Sequence, residues 1–187
     1  IGFLILIQLN YEAIILGIVI TPLIALYPLA KRFFILPQFI LALTYNWGCF
    51  IGWAALGSNI PFSSIFILYL SLIFWTLAYD TIYATQDEKE DKNLNLYSST
   101  LLFGSKKMIF LNLMIITKYF LIIFYGSSLD FGFIFNILVL TISLINLLDL
   151  NLIWKNKPEN ASSYFSRNNY YGISLLFSIL IGSHFNV

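Results

Sequence analysis

Three aspartates and a tyrosine near the middle of the chain have types and a spacing that suit metal chemistry. Asp80, Tyr83, Asp87 and Asp91 fall within about one third of a helix circumference, provided that one helix runs through all of them. Mg²⁺ commonly takes one or two carboxylates together with phosphate oxygens and water. Asp80 follows a long uncharged run, and an ionisable residue at membrane depth indicates function. The pattern predicts a metal site on Asp80, Asp87 and Asp91.

A simpler explanation of the same segment is a solvated run of charges at the membrane interface. Lys89 and Lys92 are close enough in sequence to pair with neighbouring acidic residues. This explanation is favoured for Glu88 and Glu90, which lie off the shared face. The metal site is favoured for the aspartates.

The elements that position these residues are predicted to be membrane helices. The 187 residues are 59% hydrophobic, 18% aromatic and 10% charged, and the mean hydropathy is +0.84. A soluble domain of this length needs more polar surface to cover its core. The net charge of +1 provides no basic surface for nucleic acid. We therefore expect a lipid bilayer around the protein.

Charged residues and turns divide the chain into apolar runs that match crossings of about 20 residues each. The runs are too long for barrel strands, so helices are expected. The predicted fold is an all-α, polytopic transmembrane bundle of six full helices, with residues 1–9 as part of a seventh. We expect residues 1–187 to form one transmembrane domain that is incomplete at its N-terminus, because the chain begins with Ile1. The six full runs are approximately 12–30, 33–56, 62–84, 108–125, 131–154 and 170–185.

The basic residues predict the orientation of the bundle. Lys and Arg occupy alternate loops, whereas the turns at 57–61 and 126–130 contain neither. Because basic loops stay on the cytoplasmic side, they are expected to face the cytoplasm or the mitochondrial matrix, from a bacterial or mitochondrial inner membrane. Segment 85–107, after the acidic motif, is one such loop. Lys118 lies inside an apolar run and is expected to snorkel or to have an internal partner.

Three other polar residues are candidates for the site. Lys31 and Arg32 follow an apolar run, where they either mark the positive side of the membrane or bind an anionic ligand. Asn46 lies in a long apolar run and either lines a cavity or holds two helices together. The tryptophans, Trp75 among them, are interpreted as packing or interface residues.

The spacing D-x-x-Y-A-x-x-D-x-x-x-D over residues 80–91 resembles the second aspartate-rich motif of the UbiA superfamily of membrane prenyltransferases. Within that superfamily, the run Y-D-T-x-Y-A is most similar to the 4-hydroxybenzoate polyprenyltransferases. Further segments at 27–38, 43–55, 98–104 and 165–172 resemble the family pattern in the same order. The resemblance implies that the chain corresponds to the C-terminal two thirds of a UbiA-type fold.

The reaction implied by this resemblance is a Mg²⁺-dependent transfer of a polyprenyl group from polyprenyl diphosphate to 4-hydroxybenzoate, as in ubiquinone biosynthesis. The resemblance implies that Asp87 and Asp91 hold Mg²⁺ on the diphosphate and that Asp80 completes the acidic face. Such a reaction needs a water-excluding, aromatic cavity to protect the allylic carbocation.

The resemblance also implies roles for the neighbouring residues. Arg32, together with Lys31, is expected to bind the carboxylate of the acceptor or a diphosphate oxygen. Tyr83 is expected to stabilise the carbocation or to orient a ligand.

The chain departs from the family pattern in two ways. The first aspartate-rich motif, N-D-x-x-D-x-x-x-D, is not in the sequence and is expected before Ile1, so the chain alone is expected to be inactive. Tyr97 stands where a Lys is usual, and Asn95 stands where a Gly is usual. Both departures lie close to the implied diphosphate site.

Other functions are compatible with the same residues. Another UbiA-type enzyme would act on naphthoate, haem or a glycerol phosphate. An ion-conducting membrane protein would use the aspartates as an ion path. An inactive truncated homologue would explain the missing motif and Tyr97.

Overall fold

The computed structural model describes residues 2–57, 59–155 and 157–184, and every regular element in these ranges is helical. The α-helices, numbered in chain order, are α1 Gly2–Leu6, α2 Tyr11–Leu26, α3 Ala30–Phe33, α4 Pro37–Asn46, α5 Gly48–Ala55, α6 Phe62–Tyr83, α7 Glu88–Asn93, α8 Ser99–Phe103, α9 Lys107–Ser127, α10 Phe133–Leu148 and α11 Ala161–His184. Short 3₁₀ turns at Tyr27–Leu29, Gly104–Lys106 and Pro158–Asn160, and a π-helical turn at Asp149–Trp154, connect them.

The bundle has the dimensions and surface of a membrane protein. Apolar side chains such as Phe120 (66% exposed) and Leu140 (57% exposed) face outward, as expected of residues in contact with lipid. With α11 and the α4–α5 pair there are six crossings among the described residues, and α1 is a short additional piece, so the predicted all-α transmembrane bundle is confirmed. The stretches of the described chain that are long and apolar enough to cross a bilayer are Tyr11–Phe33, Phe62–Tyr83, Ser99–Ser127 and Phe133–Trp154.

Helix α6 lies at the centre of the bundle, between α4, α9 and α11. Ala78 and Ile82 on its last turns pack against Leu111 and Ile115 on α9, and all four are buried. Ala78 and Ile82 are four residues apart on α6, as are Leu111 and Ile115 on α9. The two residues of each pair therefore lie on one face of their helix. This packing fixes the end of α6 that carries Asp80.

The fourth and fifth helices form one interrupted crossing. The break lies at Trp47, whose Nε1–H donates to the Leu16 carbonyl oxygen at 3.0 Å. Asn46 Nδ2 donates to the Leu72 carbonyl oxygen at 3.2 Å and to Thr76 Oγ1 at 2.8 Å, both on α6. Polar bonds of this kind hold helices together where lipid offers no alternative partner.

Lys118 does not snorkel to the membrane surface. The residue is 1% exposed, and its Nζ lies 3.9 Å from the ring centroid of Tyr119 and 4.7 Å from that of Trp75. Within the described residues it forms no ion pair or hydrogen bond. Its internal partners are therefore two aromatic faces, a contact worth on the order of 2 kcal/mol when desolvated.

A buried carboxylate joins α10 to α11. Asp149, at the start of the π-helical turn, is 4% exposed. It accepts hydrogen bonds from Arg167 Nη1 at 2.6 Å and from the Tyr171 hydroxyl at 2.7 Å. A carboxylate at this depth is retained only when it is paired, so the three residues fix the register of α11 against α10.

The close approach of α9 and α10 depends on Gly126. A Cβ at this position would overlap the ring of Phe135, which is fully buried and has no room to move. Gly126→Ala should therefore lower the free energy of unfolding by about 1–3 kcal/mol, measured by denaturant titration in detergent micelles. Gly52→Ala is the matched control, since nothing lies within 4 Å of a Cβ there. An equal loss in both variants would contradict this packing.

Candidate active site at the end of the sixth helix

The four residues of the acidic motif do not share one helix face, because no single helix runs through all of them. Helix α6 ends at Tyr83, residues 84–87 form a turn, and α7 begins at Glu88. The Thr85 hydroxyl donates to the Ile82 carbonyl oxygen at 2.6 Å. This local bond occupies an acceptor that a continuing helix would use, so it favours termination. The acidic residues are consequently divided between two helices and the turn that joins them.

Asp91, on α7, is held by an ion pair with Lys31 on α3. Lys31 Nζ lies 2.9 and 3.0 Å from the two Asp91 carboxylate oxygens, across 60 residues of sequence. The side chains of Asp91 and Lys31 are 5% and 40% exposed. The Tyr97 N–H also donates to the Lys31 carbonyl oxygen at 2.8 Å. The segment after α6 therefore folds back onto α3 and brings Lys31 to the acidic motif.

Further polar contacts fasten this segment to the bundle. Glu88 accepts from Lys107 Nζ at 2.6 Å, so it pairs with the first residue of α9 and not with Lys89 or Lys92 as the solvated-charge explanation expects. Thr81 Oγ1 donates to Ser99 Oγ at 2.7 Å, and the Ser99 N–H donates to Gln38 Oε1 at 3.1 Å. Residues on α4, α6 and α9 thus position the two short helices of segment 85–107.

Two of the three aspartates have no such partner. Asp80 lies close enough to Lys31 and Asp87 for electrostatic interaction with both. In the part of the chain that the structure describes, neither Asp80 nor Asp87 forms a hydrogen bond or an ion pair through its side chain. Asp80 is partly buried at the end of α6, whereas Asp87 is exposed in the turn. The fold leaves these carboxylates free to bind a ligand.

The other predicted site residues lie around this group. Arg32 is exposed and forms no ion pair with any described residue, although it follows Lys31 directly. Tyr83 is 42% exposed, and its ring lies 5.0 Å from that of Phe165 on α11, centroid to centroid. The structure brings Lys31 to the aspartates and leaves Arg32 at the edge of the group.

The acidic group fits a magnesium ion that arrives with its anionic ligand. Among the described residues, no three or more His, Cys, Asp or Glu side chains form a group that could hold a metal ion, so the structure does not bring Asp80, Asp87 and Asp91 together as one three-carboxylate site. Mg²⁺ bound to a diphosphate needs only one or two carboxylates, because phosphate oxygens and water complete its coordination. Asp80 and Asp87 supply such carboxylates, and Asp91 supplies another whose charge Lys31 balances.

A cavity of about 660 Å³ lies between α4, α6 and α11, beside the acidic group. Leu72, Trp75, Thr76 and Tyr79 line it from α6, and Tyr79 directly precedes Asp80. These four residues repeat at helical spacing, so one face of α6 forms a continuous wall. The remaining lining residues are Tyr45 and Asn46 from α4, and Phe165, Asn168, Asn169, Gly172, Ile173 and Leu176 from α11.

Both alternatives for Asn46 hold, because it lines the cavity and also donates a hydrogen bond to Thr76 on the neighbouring helix α6.

Trp75 also lines the cavity, and its Nε1–H donates to Asn168 Oδ1 at 3.0 Å. The interpretation of Trp75 as only a packing or interface residue is therefore incomplete, because its indole lines the cavity. Counting back from Asp80 at helical spacing would have found it, but Asn168 could not be paired with it without the structure.

The profile of the UbiA prenyltransferase family matches residues 1–176. The chain belongs to this family. The 4-hydroxybenzoate octaprenyltransferase of Francisella tularensis subsp. novicida (strain U112) is 35% identical over 181 residues, which cover 97% of this chain and 63% of the relative. The mitochondrial 4-hydroxybenzoate polyprenyltransferase of Drosophila melanogaster is 40% identical over 111 residues, 59% of this chain and 28% of the relative. The chain spans less than two thirds of the length of these relatives.

The UbiA fold is also found by structural comparison. A solved structure of digeranylgeranylglyceryl phosphate synthase matches with a TM-score of 0.73 at 19% identity, covering 97% of this chain and 65% of that one. At this identity the likeness concerns the fold alone. The family and the fold expected from the acidic motif are both confirmed.

Asp91 and Asp87 should respond differently to loss of charge, because only Asp91 is paired. Asp91→Asn should weaken the anchorage of segment 85–107 by about 1–3 kcal/mol, the worth of a hydrogen-bonded charge pair. Limited proteolysis in detergent should then cut this segment faster. Asp87→Asn is the matched control and should keep the parent rate. If the two variants are cut equally fast, Lys31 does not anchor the segment.

Proposed function

We propose that the protein containing this chain transfers a polyprenyl group from polyprenyl diphosphate to 4-hydroxybenzoate. The observation that carries the proposal is the juxtaposition, in one bundle, of unpaired carboxylates on Asp80 and Asp87 with an aromatic cavity that begins at Tyr79. A ligand with a charged head and a long apolar tail matches both parts. The names of the relatives and the membership in the UbiA family support the same reaction.

The charged head of the donor would lie at the acidic group. Asp80, Asp87 and Asp91 would hold Mg²⁺ together with the diphosphate oxygens. When bound, the ion offsets negative charge on the diphosphate as its bond to the allylic carbon breaks. Lys31 lies at the same place and is half-exposed, so its ammonium is available to the diphosphate as well as to Asp91.

The allylic carbocation left by the diphosphate would lie among aromatic rings. The Phe165 ring lies 5.0 Å from the Tyr83 ring and 5.5 Å from the Tyr79 ring, centroid to centroid. Aromatic faces attract cations, and an apolar surrounding keeps water from capturing the carbocation. Tyr79 and Phe165 also line the cavity, so these rings join it to the end of α6 that carries Asp80, where the reacting carbon of a bound donor would be.

The acceptor would approach the same carbon. The ring carbon ortho to the phenol of 4-hydroxybenzoate forms the new bond with its π electrons, and the ring then loses a proton and regains aromaticity. Arg32 is exposed beside Lys31 and without an ion-pair partner in the described chain, so it is the cation proposed for the acceptor's carboxylate. Asn46 would line the cavity on the α4 side.

The side of the membrane follows from the basic loops. Lys31, Arg32 and segment 85–107 belong to the end of the bundle that is proposed to face the cytoplasm or the mitochondrial matrix. The protein would then make a ubiquinone precursor on the side of a bacterial or mitochondrial inner membrane where its water-soluble acceptor is found. This placement is a proposal for the whole protein.

Each of the three aspartates should be needed for turnover. Asp80→Asn, Asp87→Asn and Asp91→Asn in the full-length protein should each lower prenyl transfer at least about 100-fold, since charge stabilisation at the leaving group is lost. Transfer is measured in membranes with polyprenyl diphosphate, Mg²⁺ and 4-hydroxybenzoate. Asp130→Asn is the control, because Asp130 lies in the turn between α9 and α10 with φ +56°, which Asn tolerates.

Three outcomes would contradict the proposal in different ways. Unchanged turnover in one variant would remove that aspartate from the metal site. Transfer to naphthoate, haem or a glycerol phosphate, without transfer to 4-hydroxybenzoate, would assign another acceptor. Ion flux in liposomes that needs no prenyl diphosphate would replace the enzyme with an ion-conducting protein.

A further inference from the structure

Trp75 lies midway along the wall that α6 gives to the cavity. It lies on α6 five residues before Asp80, which is about 7.5 Å along the helix axis. Beyond it, Leu72 and Leu176 form an apolar end, and Ile173 lies beside them. Along α6, the indole therefore lies between the end of the cavity wall that adjoins Asp80 and this apolar end.

Contacts from two other helices hold the indole in place. Its Nε1–H donates to Asn168 Oδ1 at 3.0 Å, and Asn168 is oriented in turn by its Nδ2–H, which donates to the Tyr164 carbonyl oxygen at 3.1 Å. Lys118 Nζ lies 4.7 Å from the ring centroid. Lys118 is fully buried, so its side chain fills the space on that side of the ring and restrains the indole by packing.

Gly172 on α11 leaves room for the six-membered ring of the Trp75 indole. A Cβ at Gly172 would lie 3.3 Å from Trp75 Cη2, closer than an ordinary van der Waals contact. The edge of the ring is therefore packed closely against α11 at Gly172. Because Asn168 and Lys118 restrain it, an added methyl group at Gly172 would reduce the cavity and would not be relieved by rotation of the indole.

We infer that Trp75 is the residue that determines how much of an apolar chain the cavity accepts, with Asn168 and Lys118 as positioning residues that hold its indole across the path. This inference rests on the proposed function, because it takes the cavity to hold the tail of a prenyl diphosphate. It assigns to Trp75 a selective role that is separate from the chemistry at Asp80.

The test uses two variants that change the cavity in opposite directions. Trp75→Phe removes one ring and the bond to Asn168, and Gly172→Ala adds one methyl group. In the full-length protein, kcat/KM is measured for geranyl and for geranylgeranyl diphosphate with 4-hydroxybenzoate. The long-to-short ratio should rise about tenfold in Trp75→Phe and fall about tenfold in Gly172→Ala, the discrimination expected for small changes in an apolar pocket.

Matched controls make the same chemical changes elsewhere. Trp53→Phe removes an indole whose Nε1–H donates to the Ile60 carbonyl oxygen at 2.9 Å, outside the cavity lining. Gly52→Ala adds a methyl group into open space. Both should keep the parent ratio. Asn168→Ala should shift the ratio in the same direction as Trp75→Phe, which a purely structural loss of activity would not do.

A binding measurement keeps the test decisive if a variant is inactive. Geraniol and geranylgeraniol lack the diphosphate, so the ratio of their dissociation constants reports the apolar path alone. Unchanged ratios in both Trp75→Phe and Gly172→Ala, for binding and for turnover, would overturn the inference. If the parent protein transfers no prenyl group but Trp75→Phe still shifts the binding ratio, the proposed function fails while the role of Trp75 stands.

Discussion

Lipid supplies no hydrogen bonds, and this constraint determines most of the structure. Backbone groups are satisfied within helices, and a polar side chain inside the bundle must find its partner on another helix or bear the cost of desolvation. Asn46 bonds Thr76, and Asn168 bonds Trp75. These bonds decide which faces of α4, α6 and α11 meet, so the cavity between these faces is a direct consequence of how the interior satisfies its polar groups.

Within the acidic motif, the paired and the unpaired carboxylates serve different purposes. The Lys31–Asp91 pair joins α3 to α7 and fixes the turn after α6. That frame holds Asp80 and Asp87 near each other without giving either one a cation of its own. Two like charges held together are unfavourable, and the arrangement becomes favourable when a cation with an anionic ligand binds. Under the proposed function, the pairing of Asp91 would leave the other two carboxylates to bind the ligand.

Most of the membrane helices were predictable, because the spacing of charges and apolar runs reflects membrane thickness. The last run was predicted from residue 170, however, whereas α11 already begins at Ala161. The end of α6 was not predictable from periodicity, since it depends on a local bond from Thr85 to Ile82. The contact of Lys31 with Asp91 joins residues 60 positions apart and exists only once the bundle has packed. For Lys118 the sequence left snorkelling and burial open, and only packing distinguishes them.

The two ends of the proposed site are positioned by separate sets of contacts. Ion pairs on α3, α7 and α9 fix the charged end, whereas the apolar end is fixed where Lys118 of α9 and Asn168 of α11 meet the Trp75 indole of α6. Sites that share no partner contribute to stability nearly independently. A change at Gly172 would therefore alter the width of the apolar end while the carboxylates keep their arrangement, and under the proposed function the length of the donor could vary without a change in the chemistry.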